Sequence, residues 1–270
     1  MECSPNAKIN LGLRVVSKRP DGYHNLETVF YPVPLCDTLS VEAAETFRFT
    51  SSGLAVDGDP ADNLVCRAYR LLACDYNLPP CHLHLHKVIP FGAGLGGGSA
   101  DASFCLQLLN RWASLGISLR KMEEYAGRLG ADCAFFVRNR PVMARGIGNE
   151  FTEVPLSLKG WWLVLVKPAV LVSTAEAYRG VRPAVPSDRL EDWMQRPVEV
   201  WKEGVVNDFE ASVFPKYPHL AAIKQMLYDC GAAYAAMSGS GSCMYGLFRT
   251  APDTTPLQTA GQVFCMALKS

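Results

Sequence analysis

A run of glycines is the part of the sequence whose residue types and spacing are best suited to chemistry. It reads Gly-Ala-Gly-Leu-Gly-Gly-Gly-Ser at residues 92–99 and lies between a predicted strand and a predicted helix. Backbone N–H groups in such a loop can approach an anion closely, and the positive end of the helix dipole adds to the attraction. A flexible turn is the alternative, but so many glycines would then cost backbone entropy without return. The run therefore predicts a phosphate-binding loop.

The residues around this loop narrow the kind of phosphate binder. No Lys-Ser or Lys-Thr pair follows the glycines, which excludes the Walker A loop of P-loop enzymes. Gly92, Gly94 and Gly97 match a dinucleotide-binding fingerprint in form, yet residues 117–119 lack the acidic residue that should follow. The protein-kinase Asp-Phe-Gly sequence is missing too, because the comparable Asp-Phe pair at 208–209 is followed by Glu. A phosphate loop of another class is indicated.

Three polar residues could supply reacting groups. Segment 7–13 alternates apolar and polar residues as a half-buried strand does, which places Lys8 and Asn10 on one face. Taken alone, they could be ordinary residues on the solvent face of a strand. Asp132 lies in the otherwise apolar segment 131–136, where a carboxylate must find a partner or be neutralised. Its alternative role is the N-cap of a helix.

Two further motifs leave alternatives open. The Ser-Gly-Ser-Gly-Ser run at 238–242 is either a loose hairpin loop or a second place where backbone approaches a ligand. His82, His84 and His86 share one strand face, but they span too far to bind one ion easily. No Cys or carboxylate partner is placed by the sequence. We therefore predict an exposed strand face there, and no metal site with certain protein ligands.

Periodicity predicts the elements that must position these residues. Strands are predicted at 7–13, 26–33, 38–43, 47–51, 83–89, 161–166 and 244–248. Helices are predicted to begin near 60–62 and directly after Ser99, and to span 121–129, 174–178 and 218–228. The charged segment 183–197 is predicted to be an irregular, exposed connection.

Length and composition limit the class of protein. The 270 residues exceed the usual size of one core, which predicts two domains, or one large one. The polarity pattern restarts past Phe151 and 155–160 reads as a junction, which gives predicted domains of 1–155 and 156–270. The 26 basic and 26 acidic residues cancel, which argues against nucleic acid and membrane partners and favours a small molecule. No apolar run approaches the length of a membrane span. The ten cysteines form no CxxC pair and the chain opens without an apolar signal core, so reduced thiols and a cytoplasmic protein are expected.

Three motifs, taken in order, carry a resemblance to a known family. They are Pro-Asn-Ala-Lys-Ile-Asn-Leu at 5–11, Pro-Phe-Gly-Ala-Gly-Leu-Gly-Gly-Gly-Ser at 90–99 and Met-Ser-Gly-Ser-Gly-Ser at 237–242. With these motifs the chain resembles the GHMP kinase superfamily. The resemblance implies a two-domain, two-layer α+β fold, with an N-terminal ATP-binding, ribosomal-protein-S5-domain-2-like domain and a C-terminal ferredoxin-like domain.

A longer stretch indicates the branch of the superfamily. Residues 18–28 read Lys-Arg-Pro-Asp-Gly-Tyr-His-Asn-Leu-Glu-Thr, and they resemble the branch that phosphorylates 4-diphosphocytidyl-2-C-methyl-D-erythritol. The match extends to Asp62-Asn63-Leu64, Gly130-Ala131-Asp132 and Ser173-Thr174. It covers nearly the whole chain, and covers 183–203 poorly.

The resemblance implies an activity and its two reacting residues. ATP would phosphorylate the 2-hydroxyl of that substrate, giving the 2-phosphate and ADP in the non-mevalonate isoprenoid precursor pathway. The cofactors would be ATP and Mg²⁺, with Mg²⁺ carried by ATP, and the protein would be a monomer or weak homodimer. Asp132 takes the position of the catalytic base and Lys8 that of its cationic neighbour. A buried carboxylate needs a cation to stay ionised, and the same cation can offset charge on the transferring phosphoryl group.

The resemblance also implies binding roles. Asn10 would hold the acceptor alcohol, and Thr174 would join the substrate site. Tyr23 and Tyr178 would stack on the cytosine, while His24 would read its polar edge. The residues implied to bind ATP are Asn63, Leu64, Lys87, Pro90, Gly92, Gly94, Leu95, Gly96, Gly97, Gly98 and Ser99.

Three other functions stay open at the level of sequence. One is a kinase of the same superfamily that acts on a different alcohol, although the Tyr23-His24 segment argues against it. A second is a non-catalytic nucleotide-binding module, which we would expect to have lost Lys8 or Asp132. The third and most distant is an NAD-dependent dehydrogenase, which titration with NADH would test.

Overall fold

The computed structural model describes residues 1–55 and 59–269. Their strands are β1 (Glu2–Cys3), β2 (Asn6–Lys18), β3 (His24–Cys36), β4 (Thr38–Ala43), β5 (Arg48–Gly53), β6 (Cys81–Lys87), β7 (Val142–Arg145), β8 (Glu150–Glu153), β9 (Trp162–Lys167), β10 (Tyr234–Met237), β11 (Met244–Phe248) and β12 (Gln262–Ala267). Their α-helices are α1 (Leu64–Asp75), α2 (Gly97–Trp112), α3 (Leu119–Leu129), α4 (Phe135–Arg138), α5 (Thr174–Gly180), α6 (Leu190–Met194), α7 (Asp208–Val213) and α8 (Pro218–Asp229). Short 3₁₀ helices span Pro60–Asp62, Val198–Glu203 and Thr255–Thr259.

The chain divides into two compact units that do not follow one boundary in the sequence. The first contains residues 1–8, 34–91 and 96–140. The second contains residues 9–33, 92–95 and 141–270. The division predicted between residues 155 and 156 stays a prediction.

The first unit is built on the sheet β1-β4-β6-β5. In β6, the alternating residues Leu83 and Leu85 are buried, and they join a core with side chains from α1, α2 and α3. The histidines predicted on the opposite face are half-buried or exposed, and the hydroxyls of Thr50 and Ser52 in β5 hydrogen-bond to them. Within the residues that the structure describes, no group of three His, Cys, Asp or Glu side chains could hold a metal ion.

The second unit contains the sheets β2-β3-β7-β8 and β10-β11-β9-β12. Its core includes Val164 and Val166 of β9, with Leu220 and Leu227 from α8. Across the described parts of both units, no helix is long and apolar enough to cross a bilayer. None of the ten cysteines, all of which lie in the described residues, is in a disulfide bond.

The alternative that Lys8 and Asn10 lie on a solvent-exposed face of β2 is wrong. Lys8 is 4% exposed and Asn10 3% exposed, while Ala7, Ile9 and Leu11 on the other face are fully buried. The strand is therefore buried on both faces, and its polar side chains must find partners inside the protein. The alternative role of Asp132 as an N-cap is also wrong, because Ala134 occupies the N-cap of α4.

The prediction that 183–197 is irregular and exposed is wrong at its centre. Residues 190–194 form α6, in which Leu190, Trp193 and Met194 are buried. Gly204 makes room for the Trp193 indole, since a Cβ on Gly204 would lie only 2.0 Å from Cζ2 of that ring. The contact with Gly204 shows that Trp193 is packed in the protein, although the charge of the segment alone indicated exposure.

Candidate active site

The glycine run follows β6, as predicted, but its last three residues already form the first turn of α2. The backbone before that turn takes a conformation that favours glycine. Gly92, Gly94 and Gly96 have φ angles of 59°, 73° and 70°, in the left-handed region that other residues adopt at a cost. Gly96 is the N-cap of α2 and offers no side chain to its first N–H groups. Those N–H groups and the helix dipole suit an anion.

The first half of the loop packs closely against the third motif within the second unit. A Cβ on Gly94 would lie 1.9 Å from the carbonyl oxygen of Ser238. The Ser238 hydroxyl donates to the Gly94 carbonyl at 2.8 Å, and the Cys243 N–H donates to the Ala93 carbonyl at 3.2 Å. The Ser-Gly-Ser-Gly-Ser run therefore packs closely against the backbone of the glycine loop, and its approach to a ligand stays a prediction.

Asn207 holds this third motif, and the sequence analysis missed it. Its Nδ2 donates to the carbonyls of Met237 at 2.7 Å and Gly239 at 2.8 Å. Its Oδ1 accepts the N–H of Phe209 and so caps α7. The only signal in the sequence is an Asn before a short helix, which by itself indicates nothing more than a cap.

Lys8 and Asp132 come together in the first unit, as the resemblance implied. Lys8 Nζ lies 3.5 Å from Asp132 Oδ2, and the Asp132 side chain is 33% exposed. Burial lowers the pKa of the Lys8 ammonium, and the neighbouring Asp132 carboxylate opposes that shift. The pair thus combines a buried cation with a carboxylate that remains accessible to a ligand.

The same pair lies beside the start of α2. A Cβ on Gly96 would be 3.1 Å from both Cγ and Cε of Lys8, so the lysine stem passes directly against the loop. Burial raises the pKa of the Cys133 thiol, next to Asp132, to about 11, and a hydrogen bond with Ser99 opposes this shift. The N-terminus of α2 and the Lys8–Asp132 pair are therefore neighbours within one unit.

Asn10 occupies a fully packed position in the second unit. Its Nδ2 donates to the Thr28 hydroxyl at 3.0 Å, and a Cβ on Gly239 would lie 3.4 Å from its Oδ1. The buried Tyr245 hydroxyl donates to the Asn10 carbonyl at 2.7 Å. Tyr245 is a second positioning residue that the sequence analysis missed, because a Tyr in an apolar strand indicates only core.

Some of the side chains predicted to bind the substrate lie close together. The His24 and Tyr178 rings stack with centroids 4.7 Å apart, and Phe209 packs edge-on against Tyr178 at 4.8 Å. The Thr174 and Ser240 hydroxyls are 3.2 Å apart, which connects Thr174 to the third motif. Tyr23 is 62% exposed. Two of the three predicted rings thus contact each other, and the third presents its surface to solvent.

The residues implied to bind adenosine have defined local roles. Asn63 caps α1, with its Oδ1 accepting the Val65 N–H at 2.9 Å. A Cβ on Gly98 would be 3.7 Å from Leu64 Cδ1, which places Leu64 beside the first turn of α2. Lys87 is buried and its ammonium contacts the carboxylates of Asp37 and Asp101.

Comparison with family models gives the class that this fold and site define. The model described as GHMP kinases N terminal domain matches residues 63–140, and the model described as GHMP kinases C terminal matches residues 192–261. The protein is accordingly an ATP-dependent small-molecule kinase of the GHMP type, and the expected α+β fold is confirmed.

Comparison with individual proteins indicates which family within the GHMP kinases the chain resembles. The chain is 56% identical over 248 residues to 4-diphosphocytidyl-2-C-methyl-D-erythritol kinase of Parabacteroides distasonis, covering 92% of both chains. It is 52% identical over 265 residues to the enzyme of the same name from Bacteroides thetaiotaomicron, covering 97% of both. A crystal structure of 4-(cytidine 5'-diphospho)-2C-methyl-D-erythritol kinase matches all of both chains with a TM-score of 0.86 and 32% identity. The chain belongs to the 4-diphosphocytidyl-2-C-methyl-D-erythritol kinase family.

More distant structures share the fold alone. Mevalonate kinase of Methanococcus jannaschii matches with a TM-score of 0.71 at 12% identity, covering 98% of this chain and 96% of that one. Homoserine kinase of Cytophaga hutchinsonii matches with a TM-score of 0.65 at 16% identity, covering 98% and 95%.

Proposed function

We propose that this kinase transfers the γ-phosphoryl group of ATP to the 2-hydroxyl of 4-diphosphocytidyl-2-C-methyl-D-erythritol. The products are the 2-phosphate and ADP, and the reaction belongs to the non-mevalonate isoprenoid precursor pathway. The names of relatives that are 52 to 56% identical support the substrate. The observation that carries the chemistry is the Lys8–Asp132 pair, 3.5 Å apart.

The glycine loop fits the phosphates of a nucleotide. Its left-handed glycines and the uncapped start of α2 present backbone N–H groups to an anion. We assign the phosphates to residues 90–99 and the adenosine to Asn63 and Leu64. When bound, ATP supplies the phosphoryl group, and Mg²⁺ neutralises its charge. Mg²⁺ prefers oxygen ligands and commonly uses substrate phosphates, so it is assigned to the nucleotide rather than to a protein cage.

Asp132 and Lys8 have separate roles in phosphoryl transfer: one acts on the proton of the acceptor hydroxyl, the other on the negative charge that develops. One oxygen of the Asp132 carboxylate accepts the proton of the acceptor hydroxyl. The buried Lys8 ammonium lies 3.5 Å from this carboxylate, which places a positive charge beside the proposed base. The same ammonium offsets negative charge that develops during transfer. Asn10, fixed by Thr28 and Tyr245, holds the acceptor alcohol.

Aromatic side chains of the second unit bind the cytidine moiety. We assign Tyr23 and Tyr178 to stacking on the base and His24 to its polar edge, with Thr174 in the same site. The stacked His24 and Tyr178 rings provide a preorganised aromatic surface. Stacking on an aromatic side chain contributes about 1–3 kcal/mol per base.

Release of ADP by the purified protein tests the proposed reaction. With Mg-ATP, we expect strong release in the presence of 4-diphosphocytidyl-2-C-methyl-D-erythritol and only background release with mevalonate, with homoserine or without acceptor. Release with another acceptor alone would retain the kinase and overturn the assignment of Tyr23, His24 and Tyr178. Absence of release with every acceptor would contradict the proposed reaction.

Replacement of Tyr23 by Ala tests the stacking surface. We expect the KM for the cytidine substrate to rise at least about fivefold, because a stacking contribution of about 1–3 kcal/mol is lost. The KM for ATP should change little. Steady-state kinetics with each substrate varied in turn measures both constants, and Tyr23→Phe, which keeps the ring, is the matched control. An equal rise in both KM values would remove Tyr23 from the cytidine site.

A further inference from the structure

Three charged side chains are buried together beneath the phosphate-binding loop. Lys87 Nζ lies 2.5 Å from Asp37 Oδ2 and 2.8 Å from Asp101 Oδ2. The side chains of Lys87, Asp37 and Asp101 are 6%, 0% and 4% exposed. Burial of such charges is costly unless they are paired and hydrogen-bonded with good geometry. The cluster, which we call the Lys87 triad, therefore needs an explanation beyond surface charge.

Asp37 connects the triad to the chain that enters the loop. Its Oδ1 accepts the N–H of Val88 at 2.5 Å and that of Ile89 at 2.9 Å, while its Oδ2 accepts from Lys87. These are the last residues before Pro90, where the loop motif begins. Three donors on one carboxylate hold the backbone at the end of β6 in a single conformation.

Asp101 and Gly97 connect the triad to the chain that leaves the loop. Asp101 lies in α2, in the turn that follows Gly97. A Cβ on Gly97 would lie 3.3 Å from Lys87 Nζ, so the ammonium packs against the first residue of the helix. The triad thus joins the end of β6 to the start of α2, which are the two ends of the glycine loop.

The two carboxylates of the triad are in different environments. Within the described residues, Asp101 Oδ1 is buried without a hydrogen-bond partner, whereas both oxygens of Asp37 have donors. Burial raises the pKa of the Asp101 carboxyl; Lys87 opposes that shift, and the charge of Asp37 adds to it. Protonation of Asp101 removes one negative charge from the triad, and loss of that proton restores the charge beside the N-terminus of α2.

The other titratable groups that face Asp101 are thiols. Burial raises the pKa of Cys3 to about 12 and raises the pKa of Cys105 strongly. Both thiols therefore stay neutral while Asp101 titrates. Asp37, Lys87, Cys3 and Cys105 are thus ionisable groups that interact with Asp101.

We propose that Asp37, Lys87 and Asp101 position the phosphate-binding loop, so that breaking the triad weakens nucleotide binding without slowing the chemical step. Lys87 then acts through the two ends of the loop and is a positioning residue. In this proposal, contrary to what the resemblance implied, Lys87 does not contact ATP through its ammonium, because two carboxylates already hold that ammonium. The inference depends on the proposed function only in assigning the ATP phosphates to this loop.

The test measures nucleotide affinity directly, without the acceptor. Mg-ADP is titrated calorimetrically into the wild-type protein and into Asp37→Asn and Lys87→Met. We expect the Kd for Mg-ADP to rise at least about tenfold in both variants, as when a charge-assisted hydrogen-bond network is broken. ADP release kinetics should then show a raised KM for ATP, with kcat at saturating ATP and the KM for the acceptor nearly unchanged. Unchanged Mg-ADP affinity in both variants would overturn the proposal, whatever acceptor the enzyme uses.

A conservative variant keeps the proposal testable if those two variants fold poorly. Asp101→Asn mimics the protonated carboxyl, so we expect near-normal Mg-ADP affinity at neutral pH. In the wild type, affinity should fall as the pH rises through the raised pKa of Asp101, because the triad gains a negative charge. The variant should lose this fall. A tenfold loss of affinity in Asp101→Asn at neutral pH, or an alkaline fall that persists in it, would contradict the role given to Asp101.

A matched control separates positioning from general stability. In the same unit, the Tyr125 hydroxyl donates to Asp75 Oδ2 at 2.6 Å. Tyr125→Phe removes that hydrogen bond in α3 and should lower the melting temperature while leaving the Mg-ADP Kd unchanged. If Tyr125→Phe weakened Mg-ADP binding as much as Lys87→Met, the triad would have only a structural role.

Discussion

Replacing Asp132 by Asn is expected to reduce turnover at least about a hundredfold while leaving ATP binding nearly intact. The amide keeps the shape of the carboxyl group but cannot accept the proton of the acceptor hydroxyl. It also removes the negative partner of Lys8, which lies 3.5 Å away. Because Asp132 opposes the effect of burial on Lys8, the pKa of the ammonium should fall further in the variant. A less charged Lys8 would add to the loss of turnover.

Single-turnover and steady-state kinetics, with separate titration of Mg-ADP, measure this prediction. Glu123→Gln is a control in the same unit, because Glu123 is a carboxylate that is 28% exposed and forms an ion pair with Arg138. Turnover in this control should remain near that of the wild type. Near-normal turnover in Asp132→Asn would remove Asp132 as the base and would leave the loop and its nucleotide assignment standing.

Replacing Gly94 by Ala is expected to disrupt the contact between the glycine loop and the third motif. The new Cβ would lie 1.9 Å from the Ser238 carbonyl oxygen, and a backbone atom cannot rotate away as a side chain can. The residue also has a φ of 73°, where a side chain is strained. Together we expect a loss of about 3 kcal/mol or more in the free energy of unfolding. The KM for ATP should rise at least about tenfold, because the loop must shift to relieve the clash.

Urea unfolding and ATP kinetics measure the two effects. Gly127→Ala is the control, since Gly127 lies in α3 and a Cβ there would meet nothing within 4 Å. That change should stabilise the protein slightly, by about 0.5–1 kcal/mol, because alanine is the better helix former. A Gly94→Ala protein with wild-type stability and KM would show that the loop tolerates displacement from Ser238.

Local features of the chain were predictable because their causes are local. The strand at 38–43 has the observed bounds, and the helix predicted at 218–228 is found at Pro218–Asp229. The capping-box spacing of Ser173 and Glu176 predicted the start of α5, and the Ser173 hydroxyl accepts the Glu176 N–H at 3.1 Å. Edge strand β12 was not predicted, since a half-buried strand at the edge of a sheet has no clear alternation in its sequence.

In the candidate site, too, features with local causes were predictable from the sequence and those with distant partners were not. The glycine loop was predictable because the glycines of one short segment allow the positive φ angles and leave the start of the helix without a side-chain cap. The partners of the buried ionisable side chains could not be predicted from the sequence. Asp37, Lys87 and Asp101 come from three separate parts of the chain, and only their burial together makes each of them necessary.

By itself, the sequence determined the order of the three motifs, the glycine loop that leads into a helix, and the resemblance that implied a GHMP kinase. Each depends on residue types at short spacing, which act through backbone geometry and periodicity. The tertiary structure decided that Lys8 and Asn10 are buried and that Lys87 contacts two carboxylates. It also decided that Asn207 hydrogen-bonds to the third motif and Tyr245 to the Asn10 carbonyl. These outcomes depend on which distant residues share a low-dielectric interior, because a buried polar group is stable only beside the partner that the fold supplies.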